Sequence, residues 1–581
     1  MARMNKKLTG IPVSEGIAAG PVHIFRPYIL HYEEKRIEQV QTEEELHRFR
    51  DAEKKARAEL DGLIGRVKLN APDKVAIFEA QKMLLADEEV IAEIEEAIAG
   101  DRKCAEWAAG SVYAEFAELL ATSADPLIQE RAADMNDVAR RLLRCLAGAE
   151  DVTLAAMDSP AVVVAEDLLP SDTVVMDRRN VLGLITEKGG STSHTAILAR
   201  SFSLPAVCGA AGAMDALASA QTVVLDAVNG AILADPEKGV LAEYREKRER
   251  LLRRQELERE YLYRTVTMKD GERVDVELNI GSAKNSELKF ASCADGVGLF
   301  RTEFLYMNSA ELPNEETQFQ AYKKILQAFA GKPVVIRTLD VGGDKVLPSL
   351  PLPKEENPFL GCRALRLCLQ KPELFQTQLR ALLRASVYGE LWIMFPMVGS
   401  LDDIRAAKKA VALAGETLRK QGAAFDPHIR LGAMIEIPAL ALIAGRVARE
   451  VDFVSVGTND LCQYLMAADR MNAAVTPYYQ SFHPAMLGIL QQVADAFRAA
   501  GKPFCVCGEM GGEPAFVLAL LGMGFRRLSM SPSRVAAVKR LIASVDRAEA
   551  ETIAEKALEM ETADEVEAYL RAELSRLCGA E

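Results

Sequence analysis

The spacing of apolar and polar positions changes character four times along this 581-residue chain. From about Leu8 to Phe25, GIPVSEGIAAGPVHIF carries short apolar clusters broken by turn residues, which predicts short strands. From about His31 to Leu146 the apolar residues fall three and four apart with charges between them. EEELHRFRDAEKKARAELDGLIGRV, VAIFEAQKMLLADEEVIAEIEEAIAG, AEWAAGSVYAEFAELLA and RAADMNDVARRLLRCLAG predict a bundle of about four helices. From Ala161 the texture is β-rich again, in AVVVAED, TVVMD, VLGLITE and TVVLDAVNG, with one clear helix, HTAILARS. The first strands need partners, so the bundle reads as an insertion into an α/β domain that ends near Asp235. Leu241 to Arg264 is densely charged, with leucines and tyrosines at helical spacing, and predicts a solvated linker helix.

The last three hundred or so residues carry eight short β-type runs, most followed by a helical pattern. They are VDVELNIG, GVGLF, PVVIRTLD, LWIMFPMV, RLGAMIEI, FVSVGTND, PFCVCGEM and RLSMS. Eight strand–helix units of this length predict a (β/α)8 TIM barrel, whose site lies at the carboxyl ends of its strands. The expected organisation is therefore a multidomain α/β chain. Residues 1–30 and 147–235 form a discontinuous α/β domain, 31–146 the helical insert, 236–264 the linker helix and 265–581 the barrel.

Charge and composition narrow the function. The net charge is −14, from 70 basic and 84 acidic side chains, which argues against a nucleic-acid binder and is compatible with a basic protein partner. Met1 to Lys7 is polar and basic with no apolar run behind it, so no secretory signal is expected. No uncharged apolar stretch reaches the length of a membrane span. Ten scattered cysteines suit reduced thiols in a cytoplasm, and Cys505 with Cys507, lacking a second Cys/His pair nearby, make a poor zinc signal.

The candidate chemistry lies where the barrel predicts it. Arg301 ends the second run; Arg337, Asp340 and Lys345 end the third; Glu436 ends the fifth; Asn459 and Asp460 the sixth; Cys507 and Glu509 the seventh. Arg363 follows the third strand and Arg470 the sixth. Any one of these alone is better read as a rim ion pair; the case rests on so many converging on one rim. Guanidinium forks bind phosphate and carboxylate oxygens in pairs. Glu436 and Asp460 are hard oxygen ligands of the kind Mg2+ takes, one or two at a time, with substrate oxygens and water filling its shell. Cys507, mostly protonated at an ordinary thiol pKa, is a candidate proton donor to an enolate carbon, against the plainer reading of a small buried strand residue. That plainer reading suits Cys505.

A second motif, GGSTSHTAILAR, runs from Gly189 to Arg200. Two glycines, three hydroxyls (Ser191, Thr192, Ser193) and His194 at a helix start set an imidazole beside unpaired backbone N–H groups, where a phosphorylated ring is stabilised. The competing reading is a capping turn with an incidental histidine. Lys188 adds positive charge nearby. His23, His31, His47, His428 and His483 have no comparable setting and read as structural or exposed.

These segments bring a family into view. GIPVSEGIAAG, GGSTSHTAILARSFSLPAVCG, GVGLFRTEFLYM, VIRTLDVGGDK, NPFLGCRALR, MIEIPA, GTNDLCQYLMAADR, CGEMGG and LSMSPS resemble, in order, enzyme I of the bacterial phosphoenolpyruvate:sugar phosphotransferase system. The resemblance implies a swivelling phosphohistidine domain with His194 phosphorylated at Nε2. It implies that Arg301, Arg337 and Arg470 hold the phosphate with help from Asn459, and that Arg363 also contacts substrate. It implies Mg2+ on Glu436 and Asp460, protonation of the enolate by Cys507, docking of the small carrier HPr on the helical insert, and a homodimer through the barrel. One departure stands out: the family's loop commonly reads GGRTSH, and Ser191 replaces that arginine, which puts in question whether the carrier is the general HPr or a paralogue. Two rival readings compete with this one. A phosphoenolpyruvate synthase or pyruvate phosphate dikinase needs a nucleotide-binding domain, and the first 160 or so residues show no Gly-rich phosphate loop followed by lysine. A phosphoenolpyruvate sensor without activity is favoured only by Ser191.

Overall fold

The computed structural model describes residues 7–26, 32–70, 75–121, 126–149, 154, 157, 159–168, 172, 176, 179–190, 193–202, 204–307, 311–343, 349–350, 352–353 and 355–579. Ser191, Thr192, His31, Lys345 and most of the TVVMD run lie outside them. The chain divides into two units, Met1–Leu252 and Arg253–Glu581.

The first unit is built on an eight-stranded sheet of order β1-β8-β7-β3-β4-β5-β6-β2. Its strands are β1 (Lys7–Thr9), β2 (Ile11–Ser14), β3 (Ile17–Phe25), β4 (Ala161–Ala165), β5 (Val181–Thr186), β6 (Ala206–Cys208), β7 (Thr222–Asp226) and β8 (Ala231–Ala234). Strand β3 pairs parallel with β4, Val22 facing Val162 and Phe25 facing Ala165, so adjacent strands of one sheet flank the whole helical stretch. All five residues of β4 are buried, which is why AVVVA is unbroken rather than alternating.

Among the described residues between those strands lie five α-helices, where about four were expected: α1 (Thr42–Asn70), α2 (Val75–Leu85), α3 (Glu88–Ala99), α4 (Ala105–Ala121) and α5 (Pro126–Leu146). The extra one comes from Asp87, whose carboxylate accepts from the N–H groups of Glu89 and Val90 and starts α3 one turn after α2 ends. Ile94, Ile98, Phe49, Leu60 and Leu142 fill the bundle's own apolar core. The helix Lys238–Tyr261 buries no residue. It is held along its length by i,i+4 pairs such as Lys247–Glu243 at 2.8 Å and Arg250–Glu246 at 2.7 Å.

The second unit is a closed barrel of eight strands: β9 (Asp275–Ile280), β10 (Gly296–Phe300), β11 (Val334–Arg337), β12 (Leu391–Phe395), β13 (Arg430–Ile435), β14 (Phe453–Val456), β15 (Phe504–Val506) and β16 (Arg527–Met530). Every neighbouring pair is parallel, and β16 closes on β9 with Leu528 beside Val276. Alternate side chains divide the work. Val334, Ile336, Ile393 and Val454 face the surrounding helices. Leu299, Val335, Trp392, Met394, Met434, Phe453 and Cys507 form a separate cluster. No helix among the described residues is long and apolar enough to cross a membrane.

Candidate active site

The barrel strands end in a linked row of buried charges. Arg337, the last residue of β11, is ion-paired to Glu303 and lies 3.0 Å from Asp340. Arg363 donates through Nη2 to both oxygens of Asp340, at 3.0 and 3.2 Å, and lies 3.6 Å from Asp460. Arg470 lies 3.5 Å from the other Asp460 oxygen. The order is therefore carboxylate, guanidinium, carboxylate, guanidinium, carboxylate, guanidinium, from Glu303 to Arg470. Arg363 and Asp340 are each 1% exposed, and neither would be tolerated there alone. Burial by itself lowers the Arg337 pKa, but Glu303, Asp340, Glu436 and Asp460 more than reverse that and keep it charged. Arg363 is held charged in the same way by Asp340, Asp460 and Glu436.

Backbone geometry supports the row. Glu436 follows β13 directly, is 1% exposed, and accepts a 2.6 Å hydrogen bond from the N–H of Met397. Met397 has φ +54°, and Ala364, next to Arg363, has φ +52°; both are strained for residues other than glycine, and both lie where the site is tightest. Gly457 is glycine because a Cβ there would lie 2.9 Å from Glu436 Oε2. Asp460 lies in the first turn of the helix Thr458–Met466. Asn459 beside it accepts from the N–H of Glu509 at 3.1 Å, tying the ends of β14 and β15 together. One turn on, Tyr464 donates to the carbonyl of Phe359 at 2.6 Å and receives Arg363 Nη1 at 3.4 Å.

Glu436 is the strained charge. Burial raises its pKa, the neighbouring Asp460 and Asp340 raise it further, and Arg337 with the Met397 N–H only partly compensates, leaving it near 8. Asp460 Oδ1 is buried with no hydrogen-bond partner among the described residues. Two hard carboxylates, one repelled into a raised pKa and one with a buried oxygen that Arg470 approaches without a hydrogen bond, suit a divalent cation such as Mg2+ whose remaining ligands come from elsewhere. No group of three or more His, Cys, Asp or Glu among the described residues makes an all-protein cage.

Cys507 follows β15, is 2% exposed and donates its thiol to the carbonyl of Val456 at 3.6 Å. Burial pushes its pKa up to about 11, Ser455 and the guanidiniums of Arg337 and Arg301 opposing and Glu436 adding to the rise. Arg301 itself is the residue after β10 and is half-buried. Cys505 behaves as the plain strand residue expected, donating to Ser455 Oγ at 2.9 Å.

The structure thus brings Arg337, Arg363, Asp460 and Arg470 into one row, with Glu436 acting on Arg337 and Arg363, and Arg301 acting on Cys507. Sequence reasoning passed over Glu303 and Tyr464. Glu303 was two residues from Arg301 inside RTEF, and Tyr464 was four after Asp460, on the same helix face.

In the first unit, His194 is the first residue of helix α6 (His194–Phe202). Ser193 Oγ accepts from the Ala196 N–H at 3.3 Å, capping that helix. Gly189 takes φ +87°, a backbone conformation that favours glycine, and a Cβ on it would lie 3.0 Å from Ser193 Oγ, so the turn is tight there. Lys188 is paired with Glu166 at 2.7 Å.

Three family descriptions match successive parts of the chain: the PEP-utilising enzyme N-terminal region over residues 9–131, the mobile domain over 157–230 and the PEP-binding domain over 255–547. Fold and matches together define the class, the phosphoenolpyruvate-utilising enzymes. The chain is 41% identical over 565 residues to the phosphoenolpyruvate-protein phosphotransferase of Staphylococcus carnosus, covering 97% of this chain and 98% of that one. It is 41% identical over 567 residues to that of Bacillus subtilis, covering 97% and 99%. A solution structure of Enzyme I is 33% identical, with TM-score 0.39, covering 42% of this chain and 99% of its own. The chain belongs to the phosphoenolpyruvate–protein phosphotransferase family.

Proposed function

We propose that the chain takes the phosphoryl group of phosphoenolpyruvate onto His194 and passes it to HPr or an HPr-like carrier, releasing pyruvate, as the first step of a sugar phosphotransferase system. The row of buried guanidiniums and carboxylates at the carboxyl ends of the barrel strands is the observation that supports this reading best. Arg301, Arg337 and Arg470 would receive the phosphate oxygens, with Asn459 beside them and Arg363 reaching the substrate or holding Asp340 and Asp460 beneath it. Glu436 and Asp460 would hold Mg2+, which when bound neutralises charge on the substrate oxygens.

In the reaction the bond from phosphorus to the enol oxygen breaks as His194 Nε2 bonds to phosphorus. The electron pair stays on the enolate of pyruvate, and the Cys507 thiol, protonated at neutral pH, gives its proton to the methylene carbon. Water restores the thiol. His194 must then leave the barrel for a carrier on the helical insert, a rigid-domain motion about the ends of the insert and the linker helix. Ten free thiols favour a reducing cytoplasm, and the barrel would supply a homodimer contact.

Labelled phosphoenolpyruvate tests this. The full chain should take up acid-labile label with Mg2+ present and pass it to purified HPr. His194→Ala should bind phosphoenolpyruvate yet take up none; label persisting on that variant means another nucleophile.

A further inference from the structure

Behind the ends of β10 and β11 lies an uncharged hydrogen-bond network that no part of the reaction so far uses. Thr302 Oγ1 donates to the carbonyl of Arg337 at 3.0 Å and accepts from Gln378 Nε2 at 3.3 Å. Gln378 also donates to the Tyr322 hydroxyl at 3.3 Å, and its oxygen accepts from the Leu339 N–H at 2.9 Å. The hydroxyls of Tyr322 and Tyr306 both donate to Gln318 Oε1, at 3.0 and 3.1 Å, and Gln318 Nε2 donates to the carbonyl of Pro313 at 2.9 Å. Thr302, Tyr306, Gln318, Tyr322 and Gln378 are all fully buried.

Where the network ends is what gives it meaning. Thr302 lies between Arg301 and Glu303, and Leu339 between Arg337 and Asp340. One amide, Gln378, on the helix Pro372–Ala385, therefore contacts the backbone just past β11, at Leu339, and the side chain of Thr302 just past β10, whose hydroxyl in turn holds the Arg337 carbonyl. Apolar side chains would fill this space at less desolvation cost, since each buried polar group must find its partner. What apolar packing cannot supply is direction: a hydrogen bond fixes Leu339 N and Arg337 O in angle as well as distance. The guanidiniums in front have long side chains, so a small rotation at these backbone atoms becomes a displacement of about 1 Å at the fork, enough to cost on the order of 100-fold in rate.

We propose that Gln378 and Thr302 are positioning residues, which hold the ends of β10 and β11 in register so that Arg301 and Arg337 meet the phosphoryl group in its transferring geometry. This rests on the phosphoenolpyruvate reading above. It predicts that the damage from breaking the network falls on the transfer step rather than on substrate binding.

The test uses the full chain, labelled phosphoenolpyruvate and Mg2+. Thr302→Val keeps the shape and removes the hydroxyl; Thr302→Ser keeps the hydroxyl and removes a methyl group. Thr302→Val should slow labelling at saturating substrate by about 10- to 100-fold with KM changed less than about threefold, and Thr302→Ser should label within about threefold of the parent. Gln378→Met and Tyr322→Phe break the same network elsewhere and should follow Thr302→Val, so a variant that fails to fold leaves the others to decide. The proposal is overturned if folded Thr302→Val or Gln378→Met labels at the parent rate, or if Thr302→Ser is as slow as Thr302→Val. Arg337→Ala, run alongside, separates the two levels: if it labels like the parent, the phosphoenolpyruvate reading of the rim falls and the proposal with it.

Discussion

Glu303→Ala is the sharpest probe of the charge row, because it removes a carboxylate that no substrate atom is proposed to touch. Arg337 is 5% exposed and is paired with Glu303 on one side and with Asp340, at 3.0 Å, on the other. Removing one partner of a buried ion pair costs about 3–5 kcal/mol when the remaining charge is left alone. Here Asp340 stays, and Glu436 and Asp460 still act on Arg337, so the cost is expected to fall at or just below the bottom of that range, about 2–3 kcal/mol. The second unit spans roughly 330 residues. At about 2.1 cal/mol/K per residue its unfolding entropy is about 0.7 kcal/mol/K, so its melting temperature should fall by about 3–4 °C. Scanning calorimetry of the full chain reads this directly. Function should suffer more than stability: an Arg337 held from one side only turns towards Asp340, and labelling should slow by about 10- to 100-fold. Glu303→Gln, which keeps an acceptor without the charge, should fall between. A Glu303→Ala protein that melts within about 1 °C of the parent and labels at full rate would show that the Arg337 charge needs no second counterion, and the argument from burial would be wrong.

Two further outcomes follow from the titrating groups. Cys507→Ala should slow pyruvate formation by about 100-fold or more while leaving phosphoenolpyruvate affinity within about threefold, measured by coupled assay and calorimetry; equal loss of both would make Cys507 a packing residue. The folded Glu436 keeps its proton up to about 8, whereas the unfolded chain loses it near the ordinary 4.5, so between those values the unfolded state binds fewer protons. Stability of the metal-free protein should therefore fall as pH rises from about 5 to 8, by at most about 1.4 kcal/mol per pH unit, and level off above. Glu436→Gln should flatten that slope, and Mg2+ should raise the melting temperature more at pH 8 than at pH 6; a slope unchanged by Glu436→Gln assigns it to another group.

How much of this was legible beforehand depended on whether the physics was local. The eight barrel strands could be read because strands buried on both sides are near-continuous apolar runs, such as LWIMF and FVSV. Arg301, Arg337 and Glu436 could be placed near the rim because they end or directly follow those runs, whereas Arg363 and Arg470 stand well beyond them. Strands β6 and β8 are too short to show a period, and pairing with β5 and β7 is what makes them strands. The break between α2 and α3 was invisible because ADEEV continues the helical spacing, and only the Asp87 side chain turning back onto the backbone ends it. Glu303, Tyr464 and Gln378 looked like ordinary helix residues. Their partners, Arg337, Phe359 and Leu339, are 34, 105 and 39 positions away, which no local pattern records.

The charge row also bears on what a cation would add to this site. Four guanidiniums, those of Arg301, Arg337, Arg363 and Arg470, meet four carboxylates, those of Glu303, Asp340, Glu436 and Asp460. With all eight ionised these groups sum to zero, so arginines counted without their counterions overstate the attraction for a phosphate. The carboxylates cannot simply be dispensed with, because guanidiniums buried as deeply as Arg337 and Arg363 need them. A rim of this kind gives shape and direction to an anion but little net pull. Two positive charges added beside Glu436 and Asp460 would supply the pull without disturbing the row. They would act on the carboxylate whose burial and neighbours disfavour its charge, so substrate binding and the ionisation of Glu436 are expected to depend on the same ion.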